Sequence, residues 1–557
     1  MKTGTGLDAI RAQLAWNRLL AIVEEQAQTV MRTAFSTVVR EAGDLSAGVF
    51  STDGSMLAQA VTGTPGHVNA MAASVGNFLA RYPLATLAPG DVLLTNDPWH
   101  ATGHLNDFTV VTPIFLGERP VALFASTSHI ADVGGRGFGP DANQVYEEGI
   151  NIPIGYLFRG GELNQTLMDI VRANVRDPVV AEGDLYSLTA SNQTGGEQLL
   201  RMMSDFELDS IDAVGERIVA ASEDAMRSEI AALPNGTFRH AMDVDGYDEP
   251  IHIACAVTVE DESIHVDFDG TSGPSRYGIN VPLNYTRAYA SFGVRCVVGN
   301  DVPNNAGSLR AVRVTAPAGC ILNASRPAAV SARHALGQML PDVILGCLEQ
   351  ILPDAVPAEG ASCIWNPVLL SSADEGAGAN WGGGDFVTNP IFNGGTGARP
   401  HKDGLSTTAF PSGVRTTPTE VNEVTAPILI WRKEYLADSG GPGMLRGGLG
   451  EVIEIAHARG APFEISKMFD RIQHPARGRR GGGPGRAGRV YIKGGKTLRG
   501  KGKETVPPGA TLVMETPGGG GIGDPESRDP EAVRADLEAE LVSEGAAKES
   551  YGYRGTD

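Results

Sequence analysis

The chain has 557 residues, of which 42% are hydrophobic and 20% charged, and this composition excludes an intrinsically disordered protein. Its formal net charge of −21 at pH 7 argues against general binding to nucleic acid or to an anionic membrane surface. The sequence shows neither a signal peptide nor an apolar run long enough to span a membrane, so we expect a cytoplasmic protein.

The N-terminal part of the chain is predicted to form helices around a β-hairpin. Apolar residues at helical spacing predict one long helix, or two, over residues 7–39. The pattern then changes to short apolar runs at 45–50 and 56–60, which predict a hairpin around STDGS, with Asp44 directly before it. His67 lies in a Gly/Pro loop that leads into a predicted helix over 69–82.

The stretch from residue 95 to 135 carries the strongest chemical signal. Its two apolar runs, 108–116 and 121–126, are joined by LGERP and predict neighbouring antiparallel strands. This pairing would bring His104 and Asp107, at the start of the first strand, beside His129, at the end of the second. Two imidazoles and a carboxylate suit zinc, manganese or iron(II), and three ligands leave a position for water or substrate. The alternative is that these are strand-end histidines, solvated or bonded to backbone.

The rest of the chain predicts an α+β protein. Alternating residues predict an antiparallel β subdomain at 236–275, and the Gly-rich segments beyond residue 360 end in further strands and a helix at 529–542. We therefore expect a large mixed α/β core that carries the metal site, an inserted antiparallel β subdomain, and a Gly-rich C-terminal β region that completes the core and an interface with other subunits. These three regions are predicted at 1–235, 236–275 and 276–557.

Two other features leave alternatives open. The basic stretch at 471–489, RIQHPARGRRGGGPGRAGR, would be an anion contact, a partner surface or a solvated loop. No glycine-rich segment has the spacing of a nucleotide-phosphate loop. The five cysteines are spaced singly, which predicts buried thiols.

Several long motifs resemble the hydantoinase B/5-oxoprolinase family. They are LTNDPWHATGHLNDFTVVTPIF, SHIADVGG, VYEEGINIPI, INVPLNYTRA, GGTGARPHKDG and the terminal GGGGIGDPESRDPEAV. The similarity spans nearly the whole chain. It implies a B-type subunit that carries a metal centre, in a hetero-oligomer with a hydantoinase A-like ATPase subunit that binds ATP and phosphorylates the substrate.

The resemblance also assigns metal ligands. The family's positions fall on His104, Asp107 and His129, with Asp44 as the fourth ligand and zinc as the first candidate metal, ahead of manganese and iron. Two departures bear on the substrate class. Relatives commonly have a second histidine where this chain has Ile130, and Tyr-x-Gly-Gly-Thr before the first histidine, where this chain reads WHATG.

The expected reaction is hydrolysis of a phosphorylated cyclic amide, with His67, Asp132, and Glu147 or Glu148 as candidate general bases or partners of the ligand histidines. We expect Asp132 to orient a ligand imidazole. The alternatives are a subunit of an ATP-dependent ketone carboxylase and a non-enzymatic subunit with a vestigial metal site.

Overall fold

The computed structural model describes residues 7–371 and 386–555, and its largest sheet contains the stretch singled out above. The sheet is antiparallel throughout, and the predicted hairpin and the predicted strand pair are both confirmed as parts of it. In spatial order its described strands are Met56–Gln59, Leu45–Phe50, Arg119–His129, Asp107–Leu116, Val92–Thr95, Gly155–Arg159 and Glu162–Leu163.

Helices cover both faces of this sheet, which explains why its central strands are apolar on both sides. Along Arg119–His129 the side chains alternate: Leu123 packs with the helix Pro65–Arg81, whereas Phe124 packs with the helices on the opposite face. The helices of that opposite face include Leu7–Thr33 and Pro178–Asp205, which pack against each other. The site is therefore held by a sheet that is buried on both faces.

The first predicted helix is confirmed as two helices, Leu7–Thr33 and Thr37–Arg40. Between them, the backbone N–H groups of Phe35 and Ser36 donate to the Asp184 carboxylate at 2.7 and 3.1 Å. The helix is interrupted there because these two N–H groups donate to the side chain of Asp184, which lies in another helix, and not to carbonyl oxygens of the preceding helical turn.

The predicted β subdomain forms a sheet with one additional strand. Gly236–Val244, Ile251–Glu260 and Ser263–Asp267 pair in antiparallel order, and Val312–Thr315 adds in parallel beside the last of them. The predicted boundaries at 236 and 275 stay a prediction.

Within the described residues, the C-terminal part contains three smaller sheets and shares one large apolar core with the sheet just described. Its strands, sheet by sheet, are Ile364–Trp365 and Phe392–Asn393; Val387–Thr388, Val368–Ser371, Phe463–Met468 and Lys501–Val506; and Ile428–Tyr435, Glu451–His457, Thr511–Glu515 and Arg489–Ile492.

The remaining helices lie around these sheets, and none of the described helices is long and apolar enough to cross a bilayer. All five cysteines have free thiols; four are buried as predicted, whereas Cys296 is partly exposed. The remaining α-helices are Gln165–Asn174, Asp212–Ala231, Leu283–Arg295, Ala306–Arg310, His334–Gly337, Leu340–Leu348, Thr419–Thr425, Pro530–Glu538 and Glu544–Tyr551. Short 3-10 turns are Leu84–Thr86, Val145–Glu147, Ile321–Asn323 and Pro525–Ser527.

Candidate metal centre

The strand pairing brings three potential metal ligands together. Asp107 stands directly opposite His129 in the register of Asp107–Leu116 with Arg119–His129, and His104 lies in the turn just before. One ligand atom from each of the three side chains lies within 4.8 Å of the others, and all three residues are buried. The predicted convergence is therefore present in the fold, whereas the role of these residues as metal ligands stays a prediction.

The hydrogen bonds of His104 direct one of its lone pairs at Asp107. His104 Nδ1 lies 2.9 Å from the carbonyl oxygen of Ser331, which can only accept, so Nδ1 carries the proton. In the neutral ring Nε2 then has a lone pair, and it faces the Asp107 Oδ1 lone pairs at 2.7 Å. Two facing acceptors at this distance need a proton or a cation between them. Burial, followed by the charge of Arg333, lowers the pKa of His104 to about 4, which disfavours the proton.

Asp107 is the centre of this cluster. Its Oδ2 accepts hydrogen bonds from Thr102 Oγ1 at 2.8 Å and from the guanidinium of Arg333, and its Oδ1 lies 3.4 Å from His129 Nδ1. Burial raises the pKa of Asp107, but His104, His67 and Arg333 outweigh it and hold the pKa well below its usual range. The carboxylate is therefore ionised, as a metal ligand must be.

His67 connects Asp107 with Asp44. Its Nε2 donates to Asp107 Oδ2 at 2.9 Å, and its Nδ1 lies 3.5 Å from Asp44 Oδ1. Burial lowers the pKa of His67, but the two carboxylates outweigh it and the net shift is upward. Asp44 lines the same cavity as His104 and His129 but is not one of the set within 4.8 Å, and its Oδ1 accepts from Thr64 Oγ1 at 3.0 Å.

The expected contact between Asp132 and a ligand histidine is wrong for this structure. The Asp132 carboxylate pairs with the guanidinium of Arg176 at 2.6 Å and caps Gly134 N–H at 3.1 Å. The strand ends at His129, so the chain has already turned away at Asp132 and its side chain meets a different element. Glu147 pairs with Arg136 at 2.6 Å and is not among the residues that line the cavity.

Glu148 binds the backbone segment that holds His104. Its Oε1 accepts the backbone N–H groups of Val330 and Ser331, both at 2.7 Å, and the carbonyl of Ser331 is the group that holds His104. Burial raises the pKa of Glu148 to about 8. Glu148 is therefore a positioning residue for His104 through the backbone of Ser331.

The sequence did not single out Arg333, although it is central to the site. Its guanidinium stacks 3.9 Å from the ring centroid of Tyr285, and its Nε donates to the carbonyl of Thr102 at 2.7 Å. The approach is close enough that Gly103, at φ +99°, has no room for a side chain: a Cβ there would lie 2.7 Å from Arg333 Cδ. Tyr285 stands in the quoted motif INVPLNYTRA, which was the available signal.

Four imidazoles, those of His67, His104, His129 and His334, line one cavity, and the last three lie around Phe138. The Phe138 ring centroid lies 5.7 Å from that of His104, 4.9 Å from that of His129 and 5.7 Å from that of His334. The other walls come both from the N-terminal part of the chain, with Val38, Asp44 and Thr64, and from the C-terminal part, including Asn366 and Asn389. The cavity thus lies where the large sheet meets the C-terminal region.

A protein-family comparison matches residues 8–525 to the model for hydantoinase B/oxoprolinase. The chain belongs to this family. The match covers the candidate ligands and the cavity, as the sequence motifs had implied.

Relatives of similar length include proteins with named activities. The chain is 31% identical to an uncharacterized protein of Methanocaldococcus jannaschii, over 98% of this chain and 96% of that one. It is 26% identical to the B-type chain of a putative D-/L-hydantoinase from a Pseudomonas species (99% and 96%) and 26% identical to the beta chain of the caprolactamase from Pseudomonas jessenii (98% and 96%).

Solved structures share the fold of this family member. The ATP-dependent caprolactamase of Pseudomonas jessenii superposes with a TM-score of 0.87 at 23% identity, over 98% of this chain and 96% of that one. An acetone carboxylase superposes with a TM-score of 0.87 at 19% identity, over 98% and 79%. The predicted α+β class of mixed helices and antiparallel sheets is confirmed.

Proposed function

We propose that this chain is the metal-dependent B-type subunit of an ATP-dependent enzyme that hydrolyses cyclic amides, and that it acts on a substrate phosphorylated by a partner ATPase. The observation that carries the proposal is the buried set of His104, Asp107 and His129, with lone pairs of His104 and Asp107 facing each other at 2.7 Å. Two imidazoles and a carboxylate fit zinc first, with manganese or iron(II) as alternatives, and Asp44, which lines the same cavity, is the candidate for a fourth ligand.

The comparisons support a division of labour between two kinds of chain. Two relatives that match this chain over nearly their full length are each named as one chain of a multi-chain enzyme, a hydantoinase and a caprolactamase. The sequence contains no nucleotide-phosphate loop. A separate A-type subunit that binds ATP therefore completes the proposed enzyme, as a hetero-oligomer.

The residues around the proposed metal have distinct tasks. A divalent cation held by this set would supply a Lewis acid that polarises an oxygen and activates water. Ser331 fixes His104 in the tautomer that leaves Nε2 free for a metal, and Arg333 and Thr102 hold the Asp107 carboxylate in place. His67 Nδ1 has no hydrogen-bond partner among the described residues, and the raised pKa of the ring favours its protonated form, so His67 would donate a proton in the cavity and take one back.

Metal content tests the proposed ligands without any activity assay. Wild-type protein should bind one zinc, manganese or iron ion per chain, and His104→Ala should weaken metal binding by about 100-fold or more because a direct ligand is lost. His100→Ala is the matched control, since His100 lies outside the cluster and its side chain is more than half exposed. Its Nδ1 lies 3.4 Å from Asp97 Oδ2. Equal metal content in all three proteins would contradict the proposed site.

The reaction is tested by the complex with a co-expressed A-type subunit. We expect hydrolysis of ATP that depends on a cyclic amide, with formation of the ring-opened amino acid, and a loss of about 100-fold or more in His104→Ala. ATP hydrolysis that instead depends on a ketone and bicarbonate would favour the carboxylase alternative. Turnover of neither class by a metal-loaded complex would contradict the proposal and favour a non-catalytic subunit.

A further inference from the structure

A second pocket lies beside the turn that leads into the helix Pro65–Arg81. Its volume is about 240 Å³, against about 30 Å³ for the cavity at the candidate metal ligands. Pro65 and Val68 line this pocket. Thr64 and His67, from the same segment, line the metal cavity instead, and the two spaces share no lining residue. The pocket is therefore a separate space, next to the start of the helix that carries His67.

The pocket contains a cation that no described carboxylate neutralises. Arg295 ends the helix Leu283–Arg295 and lines the pocket, and its Nη2 donates to the carbonyl of Val302. Its Nη1 is buried and has no hydrogen-bond partner among the described residues. Burial lowers the pKa of Arg295, and within the described part of the chain only Cys296 opposes that shift. Burial also raises the pKa of the Cys296 thiol to about 12, so this thiol is uncharged at neutral pH.

This guanidinium differs from the more deeply buried ones elsewhere in the chain. Each buried arginine in the described ranges pairs with a carboxylate: Arg333 with Asp107, Arg446 with Asp536, Arg471 with Asp342, Arg479 with Glu349 and Arg528 with Asp403. A cation held away from water without an anion is costly, and a chain with a net charge of −21 has many carboxylates that could have paired with it. The open position at Arg295 Nη1 therefore points to an anionic ligand.

Two carboxamide oxygens in the same pocket lack partners as well. Asn304 Oδ1 and Gln59 Oε1 are buried, and neither has a hydrogen-bond partner in the part of the chain that the structure describes. The orientation of the Asn304 amide is fixed, because its Nδ2 donates to Asn69 Oδ1 at 2.9 Å while Asn69 Nδ2 donates to the carbonyl of Ala288 at 3.3 Å. Neither oxygen accepts from Arg295 Nη1, which has no partner itself. The pocket thus offers one cationic donor and two uncharged acceptors to a ligand.

The chemistry of these groups selects a small amino acid. A guanidinium binds a carboxylate, and carboxamide oxygens accept from an ammonium group. The apolar walls, which include Pro65, Val68 and Phe292, suit an apolar side chain beside these two charges. The volume lies just below the range of about 300–1,000 Å³ for drug-sized ligands, which favours a small molecule. Phosphate would pair with the guanidinium but would leave the apolar walls without a contact.

We propose that Arg295, Asn304 and Gln59 form a binding site for a free amino acid with an apolar side chain, whose carboxylate pairs with Arg295 and whose ammonium group donates to the two carboxamide oxygens. The site is separate from the metal cavity and does not rest on the proposed function. Arg295 contributes most to its affinity, because hydrogen bonds between charged groups are stronger than those to neutral ones.

Calorimetric titration of the full chain tests this site. The probes are L-alanine, L-valine and L-leucine, each with two matched compounds that lack either the ammonium group or the carboxylate. For L-leucine these compounds are 4-methylpentanoate and 3-methylbutylamine. Wild type should bind the best amino acid at least about 10-fold more tightly than either matched compound, because each of these lacks one set of charge-assisted hydrogen bonds.

Two variants distinguish the two ends of the ligand. Arg295→Met should weaken binding of the amino acid and of its matched carboxylate by about 10-fold or more, because both lose their cation. Gln59→Leu should leave the matched carboxylate unaffected and lower the preference for the amino acid by about threefold or more. The second variant keeps the test available if the first does not fold. Arg287→Met is the matched control, since Arg287 lies on the same helix, is exposed and does not line the pocket.

Three results would overturn the site: absence of amino-acid binding to wild type, equal affinity of wild type and Arg295→Met, and binding of inorganic phosphate in place of the amino acids. The same titration on the complex with a co-expressed partner subunit tests the remaining occupant. Amino-acid binding that persists in the complex supports the site. Loss of binding there would overturn it and assign Arg295 to a carboxylate of the partner chain.

Discussion

At the scale of single residues, the site depends on groups that hold the ligands rather than on the ligands alone. His104 has its tautomer set by the carbonyl of Ser331, and the N–H of the same Ser331 is held by Glu148. The carboxyl group of Glu148 thus fixes the orientation of the His104 imidazole in the cavity through the backbone of Ser331.

The raised pKa of Glu148 predicts a pH-dependent stability. Its pKa in the folded chain is about 8, against an ordinary value of 4.5. Between these values the folded chain holds a proton that the unfolded chain has released, so this contribution is complete below pH 4.5 and is lost as the pH rises through 8. Glu148→Gln keeps an acceptor for both N–H groups and removes the titration.

Thermal unfolding at about pH 5 and about pH 8 measures this effect. Over that range the Tm of wild type should fall relative to that of Glu148→Gln, by about 2 °C or more. Glu147→Gln, at the partly exposed neighbour that pairs with Arg136, is the matched control and should run parallel to wild type. Parallel Tm curves for wild type and Glu148→Gln would contradict the prediction.

At the scale of elements, the large sheet and the helix Pro178–Asp205 fit together through glycines. A Cβ at Gly195 would lie 2.5 Å from Cε1 of Phe124, whose ring is fully buried in the strand Arg119–His129. This strand ends at His129, so the helix contact supports the element that positions a candidate ligand.

Gly195→Ala should therefore destabilise the protein by about 1–3 kcal/mol, because the added methyl group would overlap the fully buried ring of Phe124 and force it to shift. Gly76→Ala is the matched helical control, since a Cβ at Gly76 meets nothing within 4 Å. It should be neutral or stabilise by up to about 1 kcal/mol through helix propensity. The first transition in urea-induced unfolding gives the change in unfolding free energy for both variants. Equal changes at the two glycines would contradict the close packing of Gly195 against Phe124.

At the scale of the whole molecule, the basic stretch 471–489 joins separate parts of the C-terminal region. Arg471 is buried and pairs with Asp342 at 2.7 Å and Glu359 at 3.1 Å. Arg477 pairs with Glu359 and Arg486 with Glu515. Much of the positive charge is thus neutralised inside the chain, which favours a structural role over the anion contact that the sequence left open.

Arg471→Met should destabilise the protein by about 3–5 kcal/mol, because it leaves the buried carboxylate of Asp342 without its cation and removes one of the two arginines that pair with Glu359. Arg480→Met is the control from the same stretch, since Arg480 pairs with Asp354, whose side chain is 84% exposed; it should change stability by no more than about 0.5 kcal/mol. Midpoints of urea unfolding compare the two, and similar midpoints would show that the buried network contributes little.

The sequence by itself determined the features that depend on local pattern. The turn LGERP between two apolar runs predicted an antiparallel strand pair, which brings the start of one strand near the end of the other. The direct pairing of Asp107 with His129 depends on the register shift between Ile114 and Phe115, because an unbroken register from the turn would place Asp107 opposite Ser128. The hairpin after Asp44 was likewise predictable, because it depends on residues adjacent along the chain.

Only the tertiary structure decided which distant groups meet at the cavity. Several residues that line the cavity with His104 are far from it in sequence: Arg333, Tyr285, Asn366 and Asn389. Their position depends on how the C-terminal sheets pack against the large sheet. No local periodicity in the sequence predicts that packing. Asp132 is the opposite case, because it follows a candidate ligand closely along the chain but does not contact it. The backbone turns after the strand ends, and the Asp132 carboxylate pairs with Arg176. Spacing predicts partners only while the backbone remains regular, and beyond that point packing decides.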